Sequence, residues 1–161
     1  MVRIILTILM IAAAAAAFPI SAVAQRGRKD IKNEQPLTEV VSPRSTFSRI
    51  EVAWRARDAE AISSFVGNSK VLVQIGAGDS GGFYSRSQVH HLLKRMFREY
   101  EQLRFEFAKF HNLDNPGRKV YAIAHRRSRA LRSDKVFQDK VYITLGKEGE
   151  HWVIVEIKTT G

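Results

Sequence analysis

The hydrophobic period of the chain changes near residue 100, and this change constrains the fold more than any other feature. Before it, apolar side chains recur mainly at helical spacing; after it, four segments alternate polar and apolar residues. These segments read "QLRFEFAKFH", "KVYAIAHRR", "VFQDKVYITL" and "HWVIVEIKT". Only short turns separate them, and strands joined by short turns pair antiparallel. The second half of the chain therefore predicts an antiparallel sheet.

Three helices are predicted in the first half of the domain. Ser42 followed by Pro43 offers an N-cap and a first helical residue. The apolar positions that follow lie on one helical face, and this helix is predicted to run to about Arg57. Asp58 can cap a shorter second helix, "AEAISSFV". The third helix starts with a capping box at residues 85–88 and carries one apolar stripe. Helices followed by a sheet predict the α+β class.

The stretch "VLVQIGAGDSGG" places a short strand, residues 71–75, before Gly76, Gly78 and Gly81 at G-x-G-x-x-G spacing. In a dinucleotide-binding fold the third glycine lies in the first turn of the helix, where the pyrophosphate contacts free N–H groups. Here further residues separate Gly81 from the helix, and Ser85 already caps those groups. We interpret the stretch as a glycine-rich loop, so no nucleotide cofactor is predicted.

Residues 1–24 have the composition of a secretory signal peptide. One cation, Arg3, precedes a continuous apolar run that ends at Ala22-Val23-Ala24, an A-x-A cleavage site. An uncleaved membrane anchor is the alternative for an apolar run of this length. Cleavage before Gln25 predicts a periplasmic or secreted protein. The chain has no cysteine, so its core must hold the fold without disulfides.

The remaining chain divides into an arm and one domain. Residues 25–44 are polar, mixed in charge and interrupted by two prolines, which predicts a flexible arm. Residues 45–161 are long enough for a single compact domain with one core.

The order of the elements and several segments resemble an exported Bacteroidota family of unknown function in the nuclear transport factor 2-like superfamily. The segments are "RARDAEAISSFVGNSKVLVQI", "YSRSQVHHLLKRMFREY", "LRFEFAKFHN", "KVYAIAHRR" and "WVIVEIK", within residues 46–158. The loop "GAGDSGGF" is longer than is usual in that family, and "RRSRALRSDK" adds positive charge. The resemblance implies a cone: a curved sheet wrapped around the long third helix, enclosing an apolar pocket. It also implies a homodimer through the outer face of the sheet.

Aromatic side chains are the candidates for the lining of that pocket. They are Phe47, Trp54, Phe105, Phe107, Tyr121, Tyr142 and Trp152. Hydrolases and isomerases of the superfamily use a Tyr, Asp or His that projects into the cone. Glu156 shares strand parity with Trp152 and Ile154, which makes it the one acid expected to face inward. Tyr84 and His111 are the other polar candidates, and none of the three is assigned a catalytic role.

The histidines do not have the spacing of a metal site. His90 and His91 are neighbours on a helix and diverge by about 100°. His111, His125 and His151 fall at predicted strand ends, and no H-E-x-x-H pattern occurs. No metal ligands are predicted.

Positive charge is concentrated near residue 130. Without the leader the net charge is +9, and "HRRSRALRSDK" contributes Arg126, Arg127, Arg129, Arg132 and Lys135 against a single acid, Asp134. On a loop between two strands these residues would form a basic patch. Export argues against nucleic acid as the partner, whereas anionic lipid, acidic polysaccharide or an acidic protein would be accessible.

The sequence favours an exported domain that binds without transforming its ligand, either a small apolar molecule in the cone or an envelope protein at its surface. A small envelope enzyme of the isomerase or hydrolase kind, acting on an apolar substrate, is the alternative. A binder of anionic envelope polymer or lipid through the basic patch is a further alternative.

We expect the exported protein to begin at Gln25, because Ala22 and Ala24 meet the small-residue requirement of the cleavage site. Intact-mass measurement of the protein from an envelope fraction checks this. A mass that retains Met1 would contradict it.

Overall fold

The structure, a computed structural model, describes residues 42–76, 80–115 and 119–160. In chain order the elements are α1 (Pro43–Arg55), α2 (Ala59–Ser64), β1 (Val71–Gln74), β2 (Gly82–Tyr84), α3 (Arg86–Glu99), β3 (Tyr100–His111), β4 (Val120–Ala130), β5 (Val136–Glu148) and β6 (His151–Thr160). The predicted leader and residues 25–41 of the predicted arm lie outside the described residues. Helix α1 starts at Pro43 and so includes the last two residues of the predicted arm.

The three helices begin where their capping residues predict. The Ser42 side chain accepts a hydrogen bond from the Ser45 backbone N–H, at 3.1 Å, and starts α1. Asp58 accepts from the Ala61 N–H at 2.9 Å and starts α2. A complete capping box starts α3 and satisfies its first N–H groups. Gly81 lies five residues before this helix, in the turn ahead of β2, instead of in the first helical turn.

The six strands form one open sheet in the order β2-β1-β6-β5-β4-β3. The hairpins from β3 to β6 are antiparallel, as predicted, but the sheet is mixed because β1 pairs parallel with β6. The short-turn rule does not apply to this pair, since α3 and four strands separate β1 from β6. β2, which the sequence analysis assigned to a loop, pairs antiparallel with β1.

Helices α1 and α3 cover one face of the sheet, which we call the inner face; the opposite face is the outer face. Phe47 and Trp54 of α1 and Leu93 of α3 are fully buried in the core. Ala124 of β4 and Ile143 of β5 are equally buried and belong to the inner face. Among the described helices, none has the length and apolar character needed to cross a membrane. The core of the described residues therefore lies between the helices and one sheet face.

Replacing Ser85 with Ala should lower the free energy of unfolding by about 1 kcal/mol, because the Gln88 N–H in the first turn of α3 loses its acceptor. The melting temperature should fall by a few degrees. Ser48→Ala, at an exposed position inside α1, is the control and should cause no loss. Equal melting temperatures for the two variants would show that the capping box does not stabilise the fold.

Candidate functional site

A pocket of about 570 Å³ lies between α3 and the inner face of the sheet. We call it the cone pocket. Its apolar lining is Val73, Ile75, Leu92 and Met96, and the aromatic side chains are Tyr84, Tyr100 and Phe137. It lies toward the end of the sheet where β4 ends and β5 begins, since Phe137 and Glu99 line it there. The pocket is thus the part of the inner face that the helices leave uncovered.

A buried ion pair forms the polar wall of the cone pocket. Arg126 of β4 and Asp139 of β5 lie directly opposite each other, and their side chains are 8% and 17% exposed. Arg126 Nε donates to one carboxylate oxygen at 2.8 Å, and Nη2 donates to the other. Nη1 contacts the Met96 sulfur at 3.2 Å. Both carboxylate oxygens are therefore engaged by one guanidinium, which neutralises the pair inside the fold.

Further polar groups belong to the same pocket. Ser128 lies two residues after Arg126 on the inner face and is buried. Thr159 Oγ1 accepts a hydrogen bond from the Gly76 N–H at 2.9 Å, which fixes the end of β1 against β6. Arg95 and Glu99, from the last turns of α3, are exposed residues at the pocket wall. Hydroxyl groups and one ion pair are thus placed among apolar side chains.

Gly82 positions the Tyr84 ring. A Cβ atom at residue 82 would lie 3.0 Å from the hydroxyl oxygen of Tyr84, so any side chain there would displace the ring. Tyr100 contacts Phe137 edge to face, with ring centroids 5.9 Å apart. Two tyrosines and a phenylalanine from three strands therefore meet in this pocket.

The aromatic residues predicted to line the cone are elsewhere. Trp54 stacks on Phe105 with ring centroids 4.6 Å apart, and Phe47 meets Phe107 edge to face at 5.2 Å. These four rings fill the core between α1 and β3, and Trp152 is also a core residue. None of them lines the cone pocket, because strand parity identifies a buried face but does not show whether space remains beside it.

Tyr121, Tyr142 and Glu156 lie on the outer face, where they line a separate hollow. The predicted inward orientation of Glu156 is wrong because a β-bulge interrupts the alternation of β6. Leu145 pairs with Ile154 and Thr144 with Glu156, so Val155 is the extra residue. Glu156 accepts a hydrogen bond from the Thr144 hydroxyl at 2.9 Å.

His111 also lies on the outer face, at the end of β3. Its ring stacks on that of Tyr121, with centroids 4.4 Å apart and planes 9° apart. Its Nε2 atom is buried without a hydrogen-bond partner among the described residues. Of the three polar candidates, only Tyr84 is in the cone pocket.

The predicted basic loop is mostly strand. β4 continues to Ala130, so Arg126 faces inward while Arg127 and Arg129 lie on the other side of the strand. Only Arg132 and Lys135 belong to the connection with β5. The strand alternation separates the five residues, and they do not form one patch.

A larger hollow, about 840 Å³, lies along exposed polar side chains of β3, β4 and β5, among them Arg104, His125 and Lys140. Arg104 donates a hydrogen bond to the Glu106 carboxylate. This bond and the Arg104 charge hold the pKa of Glu106 below its usual value. Both groups of this pair are exposed to water. Across the described ranges, no group of three or more His, Cys, Asp or Glu side chains could hold a metal ion.

Similar proteins identify the architecture. No protein-family model matches the chain, and no curated protein matches it. Solved structures do match. A DUF4783 family protein from Bacteroides ovatus gives a TM-score of 0.56 at 12% identity over 70% of this chain and 91% of that one. A DUF4783 family protein from Bacteroides uniformis gives a TM-score of 0.58 at 12% identity, over 70% of this chain and 93% of that one.

A protein with a ketosteroid isomerase-like fold from Catenulispora acidiphila, solved in complex with trimethylamine, gives a TM-score of 0.58. It is 15% identical, over 75% of this chain and 87% of that one. The chain has the nuclear transport factor 2-like fold. The predicted cone and its resemblance to a Bacteroidota family of unknown function are confirmed at the level of the fold, which is all that identities this low establish.

Replacing Asp139 with Asn should lower the free energy of unfolding by about 3 kcal/mol, because the Arg126 charge stays buried without its counter-charge. Denaturant unfolding measures the loss. The double variant Arg126→Met with Asp139→Leu should lose less than Asp139→Asn, because no charge is left unpaired.

Glu106→Gln, which removes the carboxylate of the exposed pair with Arg104, is the matched control. It should have no measurable effect, because water screens that pair. Equal effects of Asp139→Asn and Glu106→Gln would refute the structural importance of the buried pair.

Proposed function

We propose that the protein is exported and that its cone pocket binds a small, largely apolar molecule without transforming it. The pocket volume, about 570 Å³, lies in the range of natural ligand sites, and apolar walls with few polar groups are typical of such sites. The signal-peptide pattern of residues 1–24 supports export.

The observation that carries the binding proposal is the closed ion pair. A general base needs a free lone pair within hydrogen-bond reach of the substrate. Both oxygens of Asp139 accept hydrogen bonds from Arg126, so proton transfer to this carboxylate would disrupt the bidentate ion pair. The other acid of the pocket, Glu99, is exposed on the last turn of α3. The pocket is therefore better suited to recognition than to proton transfer.

The polar wall also indicates what kind of ligand would fit. A guanidinium has more N–H donors than the three contacts of Arg126 use, and Ser128 adds a hydroxyl. A carbonyl, ether or hydroxyl oxygen on the ligand could accept from them. Two cations and two carboxylates line the pocket, so its formal charge is balanced and no charged ligand is required.

An enzyme of the isomerase or hydrolase kind is the second candidate. The presence of Asp139 in the pocket, with the tyrosines Tyr84 and Tyr100, favours it, and the neighbour solved with trimethylamine shows that a protein of this fold can hold a small molecule. Catalysis would require Asp139 to leave Arg126 when substrate binds.

A thermal-shift screen tests the binding proposal. The chain from Gln25 is mixed with fatty acids, isoprenoid alcohols and polycyclic ketones. A ligand present at a hundredfold excess over its dissociation constant stabilises the fold by about 2.7 kcal/mol, which corresponds to a rise of several degrees. Leu92→Trp should abolish the shift by filling the pocket, whereas Val52→Trp, on the exposed side of α1, should keep it.

Recovery of the best compound separates the two candidates. A binder returns the compound unchanged. If it returns altered, and Asp139→Asn stops the alteration while Glu156→Gln on the outer face does not, the enzyme hypothesis replaces the binding proposal. If no compound class shifts the transition, or if Leu92→Trp leaves the shift intact, the cone pocket is not the binding site.

A further inference from the structure

Exposed apolar side chains are concentrated at the connection between β4 and β5. Leu131, Val136 and Phe137 are 54%, 41% and 37% exposed. Elsewhere in the described residues, only Val52 and Phe83 are large apolar side chains with comparable exposure. We call residues 131–137 the hairpin tip. Such a cluster is typical of a contact surface.

Cations surround these apolar side chains. Arg132 and Lys135 belong to the hairpin tip, and Lys135 Nζ lies 5.1 Å from the centre of the Phe137 ring. Arg129, just before it, is 3.6 Å from Glu101 and partly compensated. Asp134 is the only acid between residues 131 and 137. The hairpin tip therefore combines a net positive charge with exposed apolar groups.

Backbone hydrogen bonds hold the hairpin tip in one form. The Ala130 N–H donates to the Lys135 carbonyl at 2.8 Å, and the Asp134 N–H donates to the Ala130 carbonyl at 2.9 Å. The Leu131 N–H donates to the Glu99 carbonyl at 3.0 Å, which ties the turn to the end of α3. Because Glu99 and Phe137 also line the cone pocket, the hairpin tip adjoins that pocket.

We propose that the hairpin tip docks onto an anionic lipid surface. Leu131 and Val136 would enter the boundary between headgroups and acyl chains, while Arg132 and Lys135 contact the anionic headgroups. An acidic polysaccharide would match the cations but would leave the exposed apolar side chains in water. The inference goes beyond the proposed function, because it assigns a second site, and docking there would bring the cone pocket close to the membrane.

Vesicle co-sedimentation tests the proposal with vesicles of equal parts phosphatidylcholine and phosphatidylglycerol. The chain from Gln25 is used so that the apolar leader does not itself bind lipid. Arg132→Gln with Lys135→Gln should weaken binding roughly fivefold for each cation removed. Leu131→Ser with Val136→Ser should weaken it several-fold at constant charge. Added salt should weaken binding of the parent chain.

Matched controls separate the hairpin tip from general charge and hydrophobicity. Lys70→Gln with Lys119→Gln removes two exposed cations at the opposite end of the sheet, and Val52→Ser removes an exposed apolar group on α1. Both should bind within twofold of the parent. Thermal melting verifies that each variant is folded.

Three results would overturn the proposal. One is the absence of binding of the parent chain to the anionic vesicles. Another is a loss of vesicle binding in the Lys70 and Lys119 control as large as that in the Arg132 and Lys135 variant, which would indicate a diffuse charge effect. The third is unchanged binding of the Leu131 and Val136 variant, which would identify a polyanion site instead of a lipid site. None depends on whether the cone pocket binds a ligand.

Discussion

The burial of the inner sheet face is the constraint on which the rest of the structure depends. Strands β4, β5 and β6 each present an apolar row, and α1 and α3 must cover it because the chain has no disulfide to add stability. The helices stop covering the inner face at the last turns of α3. There the inward-facing residues of β4 change from the apolar Ala122 and Ala124 to the polar Arg126 and Ser128. The pocket and its polar wall are thus consequences of where one helix stops.

The change of polarity is tolerated because Arg126 and Asp139 compensate each other. A guanidinium that is 8% exposed would be costly alone, but a bidentate carboxylate on the next strand satisfies it. Cross-strand register places the two directly opposite, so the hairpin itself sets their geometry. In this arrangement both oxygens of Asp139 accept from Arg126, while the guanidinium keeps further N–H groups that contact neither Asp139 nor Met96.

Signals within a few residues of each other in the sequence predicted most of the fold. The errors arose where the structure depends on pairing between strands that are distant in the sequence. The caps at Ser42 and Ser85 act within one helical turn, so the helix starts could be found from the sequence. The parallel pairing of β1 and the bulge at Val155 depend on distant strands, and the bulge reversed the expected orientation of Glu156. Part of the site could have been predicted from the sequence. Arg126 and Asp139 lie two residues from the apolar Ala124 and Val141 on their strands, and this alternation indicates an ion pair on the inner face.

The hairpin tip and the cone pocket lie at the same end of the sheet, and chain geometry explains why. β4 must turn back into β5 where α3 ends, so the turn and the uncovered inner face come together, with Phe137 contributing to both. A ligand that is poorly soluble in water would reside in lipid before it reached the protein. A turn that carries apolar and cationic side chains next to the pocket would shorten the path of such a ligand through water, so the proposed docking and the proposed ligand binding would use one end of the sheet.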